Sequence, residues 1–205
     1  MLNLIINRIH QLQTALGAIS SFFLICLVLI MAFNVIARYA FSSSSIGLEE
    51  LSWHLYAAIF LLGIPFALKS DTHVRVDLIF ERLSPKTQAL IDLVGTLVFL
   101  IPACAIIVWA GWNFTVAAYQ LGHQPDSISA FFNQLTSTGI GEKSQDPGGL
   151  LNRWLIKGVI PFSFACLLLS GVALACEKIQ VFKKVSTNTS PSDDSKQADI
   201  ANGVK

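Results

Sequence analysis

The sequence predicts an all-α membrane protein, with four transmembrane helices plus short interfacial amphipathic helices and both termini on the cytoplasmic side. Three observations carry this expectation. Hydrophobic residues make up 53% of the 205 residues and charged residues only 13%, roughly half the charged share of a soluble domain. Four apolar runs are each about 20 residues long, enough to cross ~30 Å of hydrocarbon. Basic residues are spread unevenly between alternate connecting segments. A chain so poor in charge cannot coat a surface that faces water everywhere, so much of its exterior must meet lipid. The net charge of +1 lacks the concentrated basic face that a nucleic-acid partner requires. Ten-residue segments of alternating polarity, the mark of a membrane β-barrel, do not occur.

The elements follow in order. Leu2, Ile5, Ile6, Ile9 and Leu12 recur at helical spacing, with Asn7, Arg8, Gln11 and Gln13 elsewhere on the wheel. That pattern predicts an amphipathic helix lying in the interface over residues 1–14. The first span runs over about 18–37. It is longer than the core of a signal peptide, and Ile36-Ala37-Arg38 makes a poor cleavage site, so it reads as a retained helix. Asn34 and Arg38 stand four apart near its far end, on one face. The second span covers about 51–68, with His54 near its start; the third covers 89–114, with Asp92 near its beginning and Pro102 inside; the fourth covers 155–175. Pro65, Pro102 and Pro161 all lie within spans, where neighbouring helices can satisfy the freed backbone groups. In the loop over 115–154, Ile128, Phe131, Phe132 and Leu135 recur at helical spacing behind the caps Asp126 and Ser127, predicting a second interfacial helix. The membrane domain therefore spans 15–182, and the polar segment 183–205 is expected to be a disordered cytoplasmic tail.

Orientation comes from the basic residues. Arg8, Lys69, Arg75, Arg82, Lys86, Lys178, Lys183, Lys184, Lys196 and Lys205 fall in one alternating set of segments; Arg38, Lys143, Arg153 and Lys157 fall in the other. The positive-inside rule then places both termini in the cytoplasm and the 115–154 loop outside.

Several groups could carry chemistry. Cys26, Cys104, Cys166 and Cys176 sit in apolar runs without metal or redox spacing, and read as small buried hydrophobes. Glu49 and Glu50 open the second span, and Glu50 shares a helical face with His54. These carboxylates can serve as an ion or proton site, rest at headgroup level against the helix dipole, or contact a partner subunit. His73, Arg75 and Asp77 follow the second span, where they can pair locally, pair across an interface or form a solvated loop. His10, His54, His73 and His123 fall into an inner and an outer pair, so a haem-binding anchor of a quinone-linked electron-transfer complex is the alternative from another class. Only His54 lies within a span, and no cofactor or metal is expected. A homo-oligomeric channel would need a polar stripe along one helix, which the isolated Asn34 and His54 do not make. No nucleotide-binding glycine loop, nucleophile elbow or His-Glu metal motif occurs. No internal repeat of the kind that builds a transporter's midplane site occurs either. The reading is therefore not an enzyme but an accessory membrane subunit.

One series of residues resembles a known family. It runs from Val35-Ile36-Ala37-Arg38-Tyr39 to Glu49-Glu50, then Gly63 to Leu68 leading into Asp71-Thr72-His73-Val74-Arg75-Val76-Asp77, then Pro85. In this order they resemble the small membrane subunit of tripartite ATP-independent periplasmic (TRAP) transporters. Glu142-Lys143-Ser144, Pro147-Gly148-Gly149-Leu150, Arg153-Trp154, Lys157 and Pro161 resemble a branch associated with 2-oxo acids, hydroxy acids and related organic anions. Here the Phe131-Phe132 helix stands as an insertion ahead of Glu142. The resemblance implies a bacterial inner-membrane scaffold without substrate contact. Its partners would be a large membrane subunit that carries solute and coupling ions, a periplasmic substrate-binding protein, and membrane lipid. It also implies interface or structural roles for His73, Arg75 and Asp77 at the inner side, and for Arg38, Glu49 and Glu50 at the outer side.

Overall fold

The computed structural model describes residues 2–69, 85–122 and 124–187. Among these the chain is helical, with no strand. Helix α1 covers Leu2–Phe41 and α2 covers Ile46–Lys69. Helix α3 (Pro85–Gly95) passes through a π-helical turn, Thr96–Leu100, into α4 (Ile101–Gln120). A short α5 (Ile128–Thr136) precedes α6 (Trp154–Thr187). Four helical stretches among the described residues are long and apolar enough to cross a membrane: Leu4–Phe41, Ile46–Lys69, Leu90–Gln120 and Trp154–Gln180. Three contain an expected span whole, and Leu90–Gln120 holds all of the expected 89–114 except its first residue.

α1 is unbroken for 40 residues, about 60 Å at 1.5 Å per residue. Residues 2–14 therefore share one helix with the first span. Its buried positions are Ile6, Gln13, Ser20, Leu27 and Asn34, seven residues apart, with Leu16 and Gly17 beside them. A seven-residue repeat is the seam of nearly parallel helices packing with their ridges interleaved, and α2 is the helix that meets it. Three of those five seam residues are polar. The opposite face is apolar and uncovered, including Phe22, Val28, Leu29 and Phe33. A water-soluble helix would show the reverse distribution.

The π turn accounts for Pro102. Proline cannot donate to the preceding turn, and its ring crowds that turn. One extra residue is accommodated there, so that the Ile101 N–H reaches back to the Thr96 carbonyl. Widened turns of this kind absorb such conflicts. Pro65 is handled differently. It removes the donor for the Leu61 carbonyl, and Ser163 Oγ of α6 donates to that carbonyl instead. Ser163 is 1% exposed, so the substitution of partners takes place out of reach of water. Ser20 Oγ of α1 likewise donates to the Ile59 carbonyl at 2.8 Å.

The helices contact one another in the order α1, α2, α6, α4, with a lesser contact between α1 and α6. α6 is the centre of this row: 44% of its most apolar stretch is buried, against 11% of that in the third span. Leu16, Leu62 and Cys166 pack together on one side of α6, and Leu68, Cys104 and Leu167 on the other. Lipid tails are as apolar as leucine, so contact between helices here is driven by close packing and interhelical hydrogen bonds. Gly111 illustrates the packing. A Cβ at that position would lie 3.2 Å from Pro161 Cδ, so the absent side chain sets the α4–α6 approach.

Candidate interface and its loop cap

At the end of the row that carries the 115–154 loop, Glu50 is the organising residue. It stands in the first turns of α2, where the helix dipole favours a carboxylate. Ser144 Oγ donates to Glu50 Oε1 at 2.5 Å, and the Leu150 N–H donates to Oε2 at 2.7 Å. Between these two contacts lies a tight turn. The Gly149 N–H donates to the Asp146 carbonyl at 3.0 Å, with Pro147 and then Gly148 (φ +81°) as the central residues. Proline followed by a residue at positive φ is the chemistry of a type II turn. A Cβ on Gly149 would run into Ser144 and the Glu50 carboxylate, and a Cβ on Gly47 would lie 2.9 Å from the Gly148 carbonyl. The turn is thereby seated on the start of α2.

The remainder of the cap is held from the other side. Asn152 (φ +59°) accepts from the Ile140 N–H at 2.6 Å and donates to the Leu135 carbonyl at 2.8 Å. Ile140 is fully buried. The Glu142 N–H donates to the Ala118 carbonyl at 2.8 Å, and the Glu142 carboxylate pairs with Lys157, whose ammonium also lies 4.1 Å above the Phe114 ring. Helix α5 begins at Ser127, whose hydroxyl accepts from the Ala130 N–H at 3.2 Å. Ile128 and Phe132 of α5 are 80% and 63% exposed.

The structure thus unites two groups of site residues that lie about a hundred positions apart: Glu50, and the stretch Glu142, Pro147, Gly148 and Gly149. The Glu50 carboxylate does not turn to His54. The His54 ring instead donates through Nδ1 to the Glu50 main-chain carbonyl at 2.6 Å. Arg38 and Glu49 approach to 3.9 Å, each about half exposed. His73, Arg75 and Asp77, together with His123, lie outside the described residues.

A second polar cluster gathers at the opposite end, which carries the N-terminus. His10 bridges Gln13 and Glu177, at 2.9 Å to each. Lys69 Nζ donates to Thr14 Oγ1 at 2.7 Å, and Lys178 pairs with Asp92 at 2.6 Å. Asp92 is only 10% exposed. The sequence placed His10 in an inner histidine pair and Asp92 near the start of a span, but did not reveal Glu177 and Lys178 as their partners. The available signal was that all four lie at span ends, where ionisable side chains need a partner or the interface.

A row of four apolar helices with a hydrogen-bonded cap at one end and ion pairs at the other defines a multi-pass membrane protein. Comparison with known proteins supplies the family. Residues 27–181 match the profile of the DctQ component of tripartite ATP-independent periplasmic transporters, so the chain belongs to that family of transporter small membrane subunits. A protein of Haemophilus influenzae that bears the name of a TRAP transporter small permease is 28% identical over 103 residues. That match covers 50% of this chain and 63% of the relative.

Proposed function

We propose that the chain is the accessory scaffold subunit of a TRAP-type secondary transporter in a bacterial inner membrane. It would work with a large membrane subunit and a periplasmic substrate-binding protein to import an organic acid. Family membership supports the class. The observation that carries the scaffold role is the uncovered apolar surface at both flanks of the row, exemplified by Phe22 and Phe33 on α1 and by Trp109 and Trp112 on α4. Part of such a surface faces lipid, and part is available to the large subunit. The organic-acid assignment rests on the resemblance of the Glu142 to Pro161 stretch. The membrane domain covers 15–182, with the first turns of α1 at the interface and the chain beyond α6 as a cytoplasmic tail. Both termini would be cytoplasmic, a reading that the distribution of basic residues supports. Glu50 positions the outer cap, while His73, Arg75 and Asp77 would orient or pair at the inner side.

The experiment is a mild-detergent pull-down of the tagged chain co-expressed with its genomic neighbours. Recovery of a much larger polytopic protein in a one-to-one complex is the expected outcome. A chain that purifies alone, or with a coloured haem protein or flavoprotein, would overturn the scaffold role. Arg75→Ala and Asp77→Ala should each lower uptake through lost assembly; an intact complex with intact uptake would remove those residues from the interface.

A further inference from the structure

A cleft of about 340 Å³ opens between α1 and α2 at the loop end. The polarity of its lining changes in one direction along the helix axis. Arg38 and Glu49 stand at the rim, 3.9 Å apart and each about half exposed. The pair leaves most of the guanidinium donors and carboxylate lone pairs unused. Asn34 lies four residues further along α1, about 6 Å deeper. It is nine-tenths buried, and its Oδ1 has no hydrogen-bond partner. A half-turn of that amide exchanges the polar atom it shows to the cleft. Met31 and Leu27 continue inward, Leu27 about 10 Å beyond Asn34. The indole of Trp53 and the phenol of Tyr56 line the same cleft and are exposed. Such aromatic side chains are enriched at headgroup level.

Charged rim, amide, then hydrocarbon is the polarity profile of one phospholipid read from headgroup to chain. We infer that this cleft binds a single phospholipid with a zwitterionic ammonium-phosphate headgroup, of the phosphatidylethanolamine type. Arg38 takes the phosphate, Glu49 the ammonium, Asn34 the ester region, and Met31 and Leu27 one acyl chain. The rim carries one positive and one negative side chain, which suits a headgroup that carries both. An anionic headgroup would gain Arg38 and meet repulsion from Glu49. A polypeptide side chain from a partner would use the rim and leave the deeper apolar part unfilled. The inference rests on the membrane reading alone and does not depend on the identity of the transporter complex.

The test uses the full chain, purified in mild detergent and stripped of lipid, then titrated with dioleoylphosphatidylethanolamine or dioleoylphosphatidylglycerol. Native mass spectrometry and the unfolding temperature are read together. The parent chain should retain one phosphatidylethanolamine and bind phosphatidylglycerol at least tenfold more weakly. Arg38→Gln should lower phosphatidylethanolamine retention about tenfold, and Glu49→Gln should reverse the preference toward phosphatidylglycerol. Val35→Trp adds bulk at an exposed, uncharged position of the same lining; it should abolish retention while helix content and elution volume stay unchanged. Equal retention of both lipids by the parent chain would overturn the assignment, as would undiminished retention in Val35→Trp or Arg38→Gln. A photocrosslinker at Val35 that captures a co-expressed polypeptide and no lipid would give the cleft to a protein partner and overturn it too.

Discussion

The two ends of the helix row are held by different physics. At the loop end, Glu50 receives a hydroxyl and a main-chain N–H from residues 94 and 100 positions away, and Asn152 ties two further main-chain groups. These contacts are short, directional and made largely to backbone, so they specify one loop geometry. At the N-terminal end, long side chains pair across helices: His10 with Glu177, and Lys178 with Asp92. Such pairs tolerate shifts of the helices and respond to the surrounding ions. The contrast suggests that the cap presents a shaped surface, while the opposite end maintains spacing between helices that can still adjust.

Substitutions can break or sharpen this contrast. Asn152→Ala should have the largest effect, because it removes both side-chain hydrogen bonds and places alanine at positive φ. The expected cost to the cap is about 2 kcal/mol, seen as faster proteolysis within residues 137–153 and a lower unfolding temperature. Cleavage at the parent rate would remove Asn152 from the cap. Glu50→Ala should come next, leaving the Leu150 N–H without its acceptor and raising its hydrogen-exchange rate about tenfold. Glu50→Gln should fall between, since one amide oxygen can accept from Leu150 while its NH2 donates to Ser144. Lys178→Met should cost about 1 kcal/mol by removing a cation from the nearly buried Asp92, measured by thermal unfolding in detergent. Smallest should be Glu177→Gln, at a few tenths of a kcal/mol, because His10 and Glu177 are each about a third exposed. The effect of Lys178→Met should shrink as salt rises from 0.1 to 1 M, where the Debye length falls from about 10 to about 3 Å. The effects of the first two changes should not. Equal salt sensitivity at both ends would erase the distinction.

Much of the fold was legible because transfer into lipid acts locally. Each run of about 20 apolar residues is a span whatever the rest of the chain does, and all four lie within helices of the structure. Helix α5 was legible for a similar reason: its apolar spacing and the Ser127 cap are contained within nine or ten neighbouring residues. The candidate site was legible only in pieces. Glu50 stood out as a carboxylate at a span end, and the Pro147-Gly148-Gly149 stretch only through its resemblance to a transporter branch. Their contact was not readable, because the same carboxylate could equally have turned to His54, one helical turn away. The single long α1 was also not foreseen. Its first turns satisfy the pattern of a separate surface helix, and only packing of the Ile6 and Gln13 positions in the same seam as Ser20 and Leu27 joins the two segments.

By itself, then, the sequence determined the number of spans, their helical character and the residues able to make caps and ion pairs, since hydropathy, spacing and turn chemistry are properties of short segments. Only the tertiary structure decided that the helices contact one another in the order α1, α2, α6, α4, that Glu50 serves the loop, that Ser163 replaces the donor missing at Pro65, and that Arg38, Asn34 and Glu49 open onto one cleft. Those outcomes depend on which apolar faces interlock. Apolar faces in lipid are nearly interchangeable until small residues such as Gly111 and interhelical donors such as Ser163 select one arrangement.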